Sequence, residues 1–234
     1  MDRTGDTMNA DIFGQNNKSN LNSELNDHRR RLALEERCKQ HRDMIRTRTP
    51  QQVAGCAALR INDEAGVISL SGELLAKEYI INWPGLKIFD AGGHPASLQT
   101  EALWLHYLER ADGHPLTGRW VNLSEIGGLF YQQAFQGYCG DELAAAWQDD
   151  IEGLAKKCRQ AGGWELRGMG DLAFEWRVLP RLPLCLCYRL PKGTKEAWAT
   201  MLFDAAADHY VAADVAATVG KKLADSLKPA TVNS

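Results

Sequence analysis

Apolar residues recur at helical spacing through the middle of the chain, where Leu98, Ala102, Leu105 and Leu108 share one face. Leu103, Trp104 and Tyr107 extend that surface nearly all round, which predicts a helix buried on most sides. Ser97 is placed to cap it, Glu101 complements the dipole in its first turn, and Asp112-Gly113-His114-Pro115 stops it. A short extended segment, Trp120-Val121-Asn122-Leu123, follows. The pattern then predicts a second helix, Ile126–Phe135, with Gly127-Gly128 near its start. Tyr138-Cys139-Gly140 reads as a break. Asp141 caps a third helix, from Glu142 to about Gln160, with Leu143, Trp147, Ile151, Leu154 and Cys158 as its buried stripe.

Strand signals flank this helical centre. Val67–Ser71, Lys77–Trp83 and Leu86–Phe89 are extended segments, the last two joined by a Pro84-Gly85 turn. Trp164–Arg167 and Phe174–Val178 alternate apolar and charged positions. Leu182–Leu190 is almost continuously apolar and reads as a strand covered on both faces. Ala199–Asp204 is a further strand, and Val215, Val219, Leu223 and Leu227 mark a closing helix. The expected fold is α+β: a mostly antiparallel sheet with packed helices, plus a basic helix at the N-terminus.

Composition divides the chain. Residues 1–20 are polar and read as a disordered start, and residues 21–50 as a basic helical extension capped near Asn26-Asp27 and ended by Thr49-Pro50. Residues 51–228 form the main domain, and 229–234 a loose tail. Between Arg29 and Arg48, eight basic residues face only Glu35, Glu36 and Asp43. Such a helix either lies solvated against the domain or binds RNA or an acidic protein. Elsewhere nucleic acid is not expected, because the net charge is only -3. No apolar run approaches a membrane span, so no membrane association is expected. With no secretory signature and six scattered cysteines, the cytoplasm is the expected location.

Several short motifs occur in a fixed order: Leu105-His106-Tyr107-Leu108, Leu116-Thr117-Gly118-Arg119-Trp120-Val121, Gly127-Gly128, Tyr131 and Phe135. Leu179-Pro180-Arg181-Leu182-Pro183-Leu184, Phe203-Asp204, Ala207, Tyr210 and Val219-Gly220 follow. In this order the chain resembles the uncharacterised DUF3786 family, over roughly Ser71 to Leu227. The resemblance implies no established activity. Some relatives resemble fusions to a four-cysteine iron–sulfur module of the corrinoid-protein kind, which implies, at one remove, anaerobic redox or tetrapyrrole metabolism. This chain departs from that pattern, since Cys38 and Cys56 are its only cysteines ahead of Ser71.

His106 and His209 each adjoin a tyrosine, and an iron tetrapyrrole takes His as an axial ligand in an aromatic pocket. Tyr107, Trp120 and Tyr131 are candidate walls, and Gly127 and Gly128 permit close approach of a flat ligand or of another helix. Each histidine alone is more commonly a hydrogen-bonded residue at the core edge. Cys139 before a helix, with His106 as base and Asp204 as orienter, would make a cysteine-dependent enzyme. Cys185 and Cys187 share a strand face, as half a soft-metal site or as buried hydrophobes. The leading expectation is a non-catalytic binding or accessory module for a tetrapyrrole (haem or corrinoid) or a redox partner. The alternatives are an enzyme using cysteine or histidine, and protein or RNA interaction through the basic helix.

Overall fold

The computed structural model describes residues 8–229, with side chains from residue 25 onward. Residues 1–7 of the expected disordered start and 230–234 of the expected tail lie outside the described residues. The first helix, α1 (Met8–Ile45), begins before Leu21 and runs straight through Asn26-Asp27, which therefore cap nothing. After it comes α2 (Pro50–Ala57), in a stretch where no helix is expected from the sequence. Thr49 caps it. The Thr49 hydroxyl accepts from Gln52 N–H, and the Gln52 side chain accepts from Thr49 N–H. The Thr49-Pro50 pair thus starts a helix instead of ending one, because Pro at the first helical position has no N–H to satisfy.

Four strands form an antiparallel meander: β1 (Arg60–Glu64), β2 (Val67–Leu74), β3 (Lys77–Asn82) and β4 (Ile88–Asp90). One face aligns Ile61, Leu70, Ile81 and Ile88 in register, and all but Ile61 are buried. The polar edge strand β1, exposed throughout, carried no apolar alternation by which to find it. α3 (Leu98–Arg110) follows with Ser97 as its cap, as expected, and Trp104, Leu105, Tyr107 and Leu108 are buried.

A second antiparallel sheet has the order β5-β9-β8-β7-β6, built from β5 (Trp120–Val121), β6 (Trp164–Glu165), β7 (Leu172–Leu179), β8 (Leu182–Arg189) and β9 (Trp198–Asp204). The expected single sheet is therefore two. β8 is buried along its length except at Arg189, as its apolar run predicts. The sheets meet where Leu75 N–H donates to Val178 O at 2.9 Å. Gly72 lies there against Leu59, Trp104 and Pro180, with no room for a side chain.

The expected helix Ile126–Phe135 is broken up. A 3₁₀ turn, Leu123–Ile126, is followed by a tight turn and the one-turn helix α4 (Gln132–Phe135). The expected break at Tyr138-Cys139-Gly140 is instead a π-helical turn, Gln136–Asp141, that runs on into α5 (Glu142–Trp147). Gly140 fits there because Ala199 O and the Gln136 side chain fill the space a Cβ would need. The expected long third helix is two helices. Gln148, at φ 44°, ends α5, and Asp150 accepts from Gly153 N–H to start α6 (Ile151–Gln160). Of the expected stripe, Leu143, Leu154 and Cys158 are fully buried, while Trp147 and Ile151, beside the break, are only half-buried. α7 (Ala213–Leu227) closes the fold, and its Gly220 packs on Phe135 and Phe203.

Candidate functional site

α1 lies along α3 and uses part of its basic charge to do so. Arg42 pairs with Glu101, and His41 with Glu109. Arg46 donates to Pro84 O and Gly85 O. Arg48 donates to the carbonyls of Leu108, Glu109 and Ala111, the unsatisfied acceptors at the end of α3. Three of the eight basic residues are thus committed to holding the helix down. Arg29, Arg30, Arg31, Arg37 and Lys39 remain exposed.

His106 stands at this junction. Its Nε2 accepts from Ala212 N–H at 3.0 Å, the backbone group that opens α7. The His41 ring meets it edge-on at 5.4 Å. Burial, with His41 and Arg110 nearby, pushes its pKa down to about 4. The ring is neutral at pH 7, with its proton on Nδ1. Neighbouring Tyr107 is fully enclosed: its hydroxyl donates to Ala57 O at 2.8 Å and accepts from Arg181 N–H at 3.1 Å. It ties α2, α3 and the β7–β8 turn together.

His209 belongs to a different cluster. Its Nδ1 pairs with Asp112 at 2.6 Å, and its ring stacks on His114 at 3.9 Å, with 5° between planes. Tyr210 donates to His114 O. Trp120, in β5, is half-buried opposite Asp204. Gly127, at φ 87°, ends the 3₁₀ turn, and Gly128 lies against Leu123 of that same turn. The turn's own geometry therefore requires both glycines. Tyr131 is exposed.

Two of the residues offered for cysteine chemistry, Cys139 and Asp204, are buried. Cys139 is at 0% exposure and its thiol is pushed up to about 12 by burial. Asp204 hydrogen-bonds to neither Cys139 nor His106. Its carboxylate accepts from Thr117 N–H, Thr117 Oγ1, Gly118 N–H and Ala206 N–H at 2.7–3.1 Å. Cys185 and Cys187 are buried in β8, and no group of three or more potential metal ligands occurs among the described residues.

A cleft of about 1210 Å³ opens instead between α5 and the β8–β9 connection. Asp141, Asp171, Arg189, Lys192, Lys195 and Trp198 lie along it. The Arg189 guanidinium is 5.6 Å from the centre of the Trp198 ring, and Asp171 accepts from Leu190 N–H at 2.9 Å. Lys192 and Lys195 are joined only through their backbones. The sequence reading passed over this loop. Its signal was a cluster of charge, Lys192, Lys195 and Glu196, between two buried strands. A smaller cleft, about 500 Å³, lies between α1 and the start of α3, beside Arg30, Arg31 and Leu98. Neither cleft is bordered by His106 or His209.

No helix among the described residues is long and apolar enough to cross a membrane. No curated protein and no solved structure matches the chain. One family model matches residues 49–226, about three quarters of the 234 residues; it takes in both sheets and the helices from α2 to α7, and leaves α1 outside. The chain belongs to that family, DUF3786, described as a domain of unknown function.

Proposed function

We propose that this protein is a non-catalytic binding or accessory module, with its ligand held in the cleft between α5 and the β8–β9 connection. The cleft itself carries the reading: about 1210 Å³ of open space, with an exposed tryptophan and three basic side chains set against carboxylates. An aromatic face and both signs of charge suit a polar ligand with a flat portion. The burial of the Cys139, Cys158 and Cys185 thiols, each raised to about 12, favours binding over cysteine chemistry. A cytoplasmic location belongs to the same reading.

A tetrapyrrole is a second reading at a separate place, because the histidine that would ligate it lies outside this cleft. It rests on His209, whose Nδ1 is already oriented by Asp112 and whose Nε2 is left to ligate, the usual arrangement of a metal-bound imidazole. His106 would first have to release Ala212 N–H. Titration with haemin and with cobalamin, followed by absorption spectroscopy, tests this reading. A new Soret or corrin band in the wild type, absent in His209→Ala, supports it. An unchanged spectrum, or the same band in both proteins, removes it. For the cleft, saturation-transfer NMR against a library of flat anionic and zwitterionic metabolites is the test. Hits lost in Trp198→Ala and Lys195→Ala support the site, and hits indifferent to both changes reject it.

A further inference from the structure

The turn between the 3₁₀ segment and α4 exposes three consecutive large apolar side chains: Leu129 at 72%, Phe130 at 94% and Tyr131 at 46%. The turn that carries them is held firmly at its base. Gly128 N–H donates to Leu123 O, Tyr131 N–H to Gly128 O and Phe135 N–H to Tyr131 O, all at 2.8–2.9 Å. The Gln132 side chain clamps Ser124 N–H at 3.1 Å, and Gly127 supplies the left-handed corner. A fixed backbone thus presents an almost bare phenyl ring to water, where it is unfavourable unless something covers it.

We propose that Leu129, Phe130 and Tyr131 form an apolar anchor that inserts into an uncharged hydrophobic pocket on a different protein. Charge supports this occupant. Ile126 to Gly140 contains no Asp, Glu, Lys, Arg or His, in a chain that is 24% charged. The nearest cation in sequence, Arg119, is paired with Glu125, and Lys221, which lies 5.7 Å from the centre of the Tyr138 ring, is paired with Asp225. Nothing in the stretch attracts an anionic bilayer or a nucleic acid, and nothing charged has to be desolvated on entering an apolar pocket. Area argues against a second copy. Three side chains expose only a few hundred Å², whereas a stable interface buries about 800 Å² on each partner. A symmetric tip-to-tip contact falls short, while a partner with a pocket and a surrounding rim reaches that size with these residues as its aromatic hot spot. The surface is separate from the cleft and does not rest on the ligand assigned there.

The test places a photocrosslinking benzoylphenylalanine at position 130 of the full-length chain in its native cells. The adduct is identified by mass spectrometry, and the partner is purified for calorimetry. Support is one heterologous adduct whose purified partner binds the wild type and loses at least tenfold affinity for Phe130→Ser, with Lys195→Ala binding as wild type. Phe130 is so exposed that its replacement leaves the fold intact, which an unchanged thermal melt checks. A homodimeric adduct, no adduct above that of a probe at Gln133, equal affinity of wild type and Phe130→Ser, or Phe130-dependent sedimentation with phosphatidylcholine vesicles would each overturn the proposal.

Discussion

The Nε2 atom of His106 accepts the backbone N–H of Ala212 across 106 residues of sequence, at 3.0 Å. It joins the face of α3 to the first turn of α7, where no side chain at the N-cap provides the acceptor. A histidine that the residue pattern offers as a ligand is thereby a helix cap from outside the helix.

That bond sets a pH dependence. The folded protein takes up the His106 proton only near pH 4, whereas the unfolded chain takes it up near 6.5. Between those values the unfolded state binds more protons, so stability falls as pH drops from 6.5 toward 4. For a ring still partly open to solvent, the loss is roughly 1–2 kcal/mol. Urea unfolding at pH 7.0 and 4.5 should show that extra loss in the wild type relative to His106→Gln. Equal losses would mean that the ring is not held neutral.

Asp204 is expected to matter for folding before anything else. Asp204→Ala leaves the buried Ala206 N–H and the more exposed N–H groups of Thr117 and Gly118 without this acceptor and should cost roughly 1–3 kcal/mol. Asp204→Asn recovers little of this, because both oxygens accept from N–H groups and an amide would turn a donor toward one set. Urea midpoints of the two variants check this. An Asp204→Asn protein as stable as the wild type would contradict the bonding scheme.

The two adjacent glycines should differ in cost. A Cβ on Gly128 would lie 2.4 Å from Leu123 Cγ and 2.6 Å from Leu123 O, so Gly128→Ala must move backbone, at about 2–3 kcal/mol. A Cβ on Gly127 meets open space, and Gly127→Ala pays only for its φ of 87°, about 1 kcal/mol. Thermal melts should rank them in that order, and the reverse ranking would deny the close approach.

Among the cysteines, Cys56 alone is half-exposed, while Cys38, Cys139, Cys158, Cys185 and Cys187 are buried. Iodoacetamide at pH 8 should modify Cys56 first in the native protein and the others only after urea is added. Mass spectrometry of the digests reads this out, and early labelling of Cys139 would reopen its case as a nucleophile.

Sequence alone determined the elements whose burial is written into their periodicity. α3 with its Ser97 cap, the doubly covered β8 and the spaced valines and leucines of α7 all emerged close to their observed bounds, because one-dimensional patterns encode which face meets the core. The α+β class and the family membership belong here too. The pattern failed where a local choice depends on distant groups. Gly140 sustains a π turn because Ala199 O crosses it, and β1 is a strand because β2 offers a register of hydrogen bonds to an otherwise polar segment. The uses of His106, Tyr107 and Asp204 were likewise decided only by tertiary structure. Each side chain's partner is a backbone group brought up by folding, and a hydrogen bond to a backbone atom leaves no mark on the identity of the residue that supplies it.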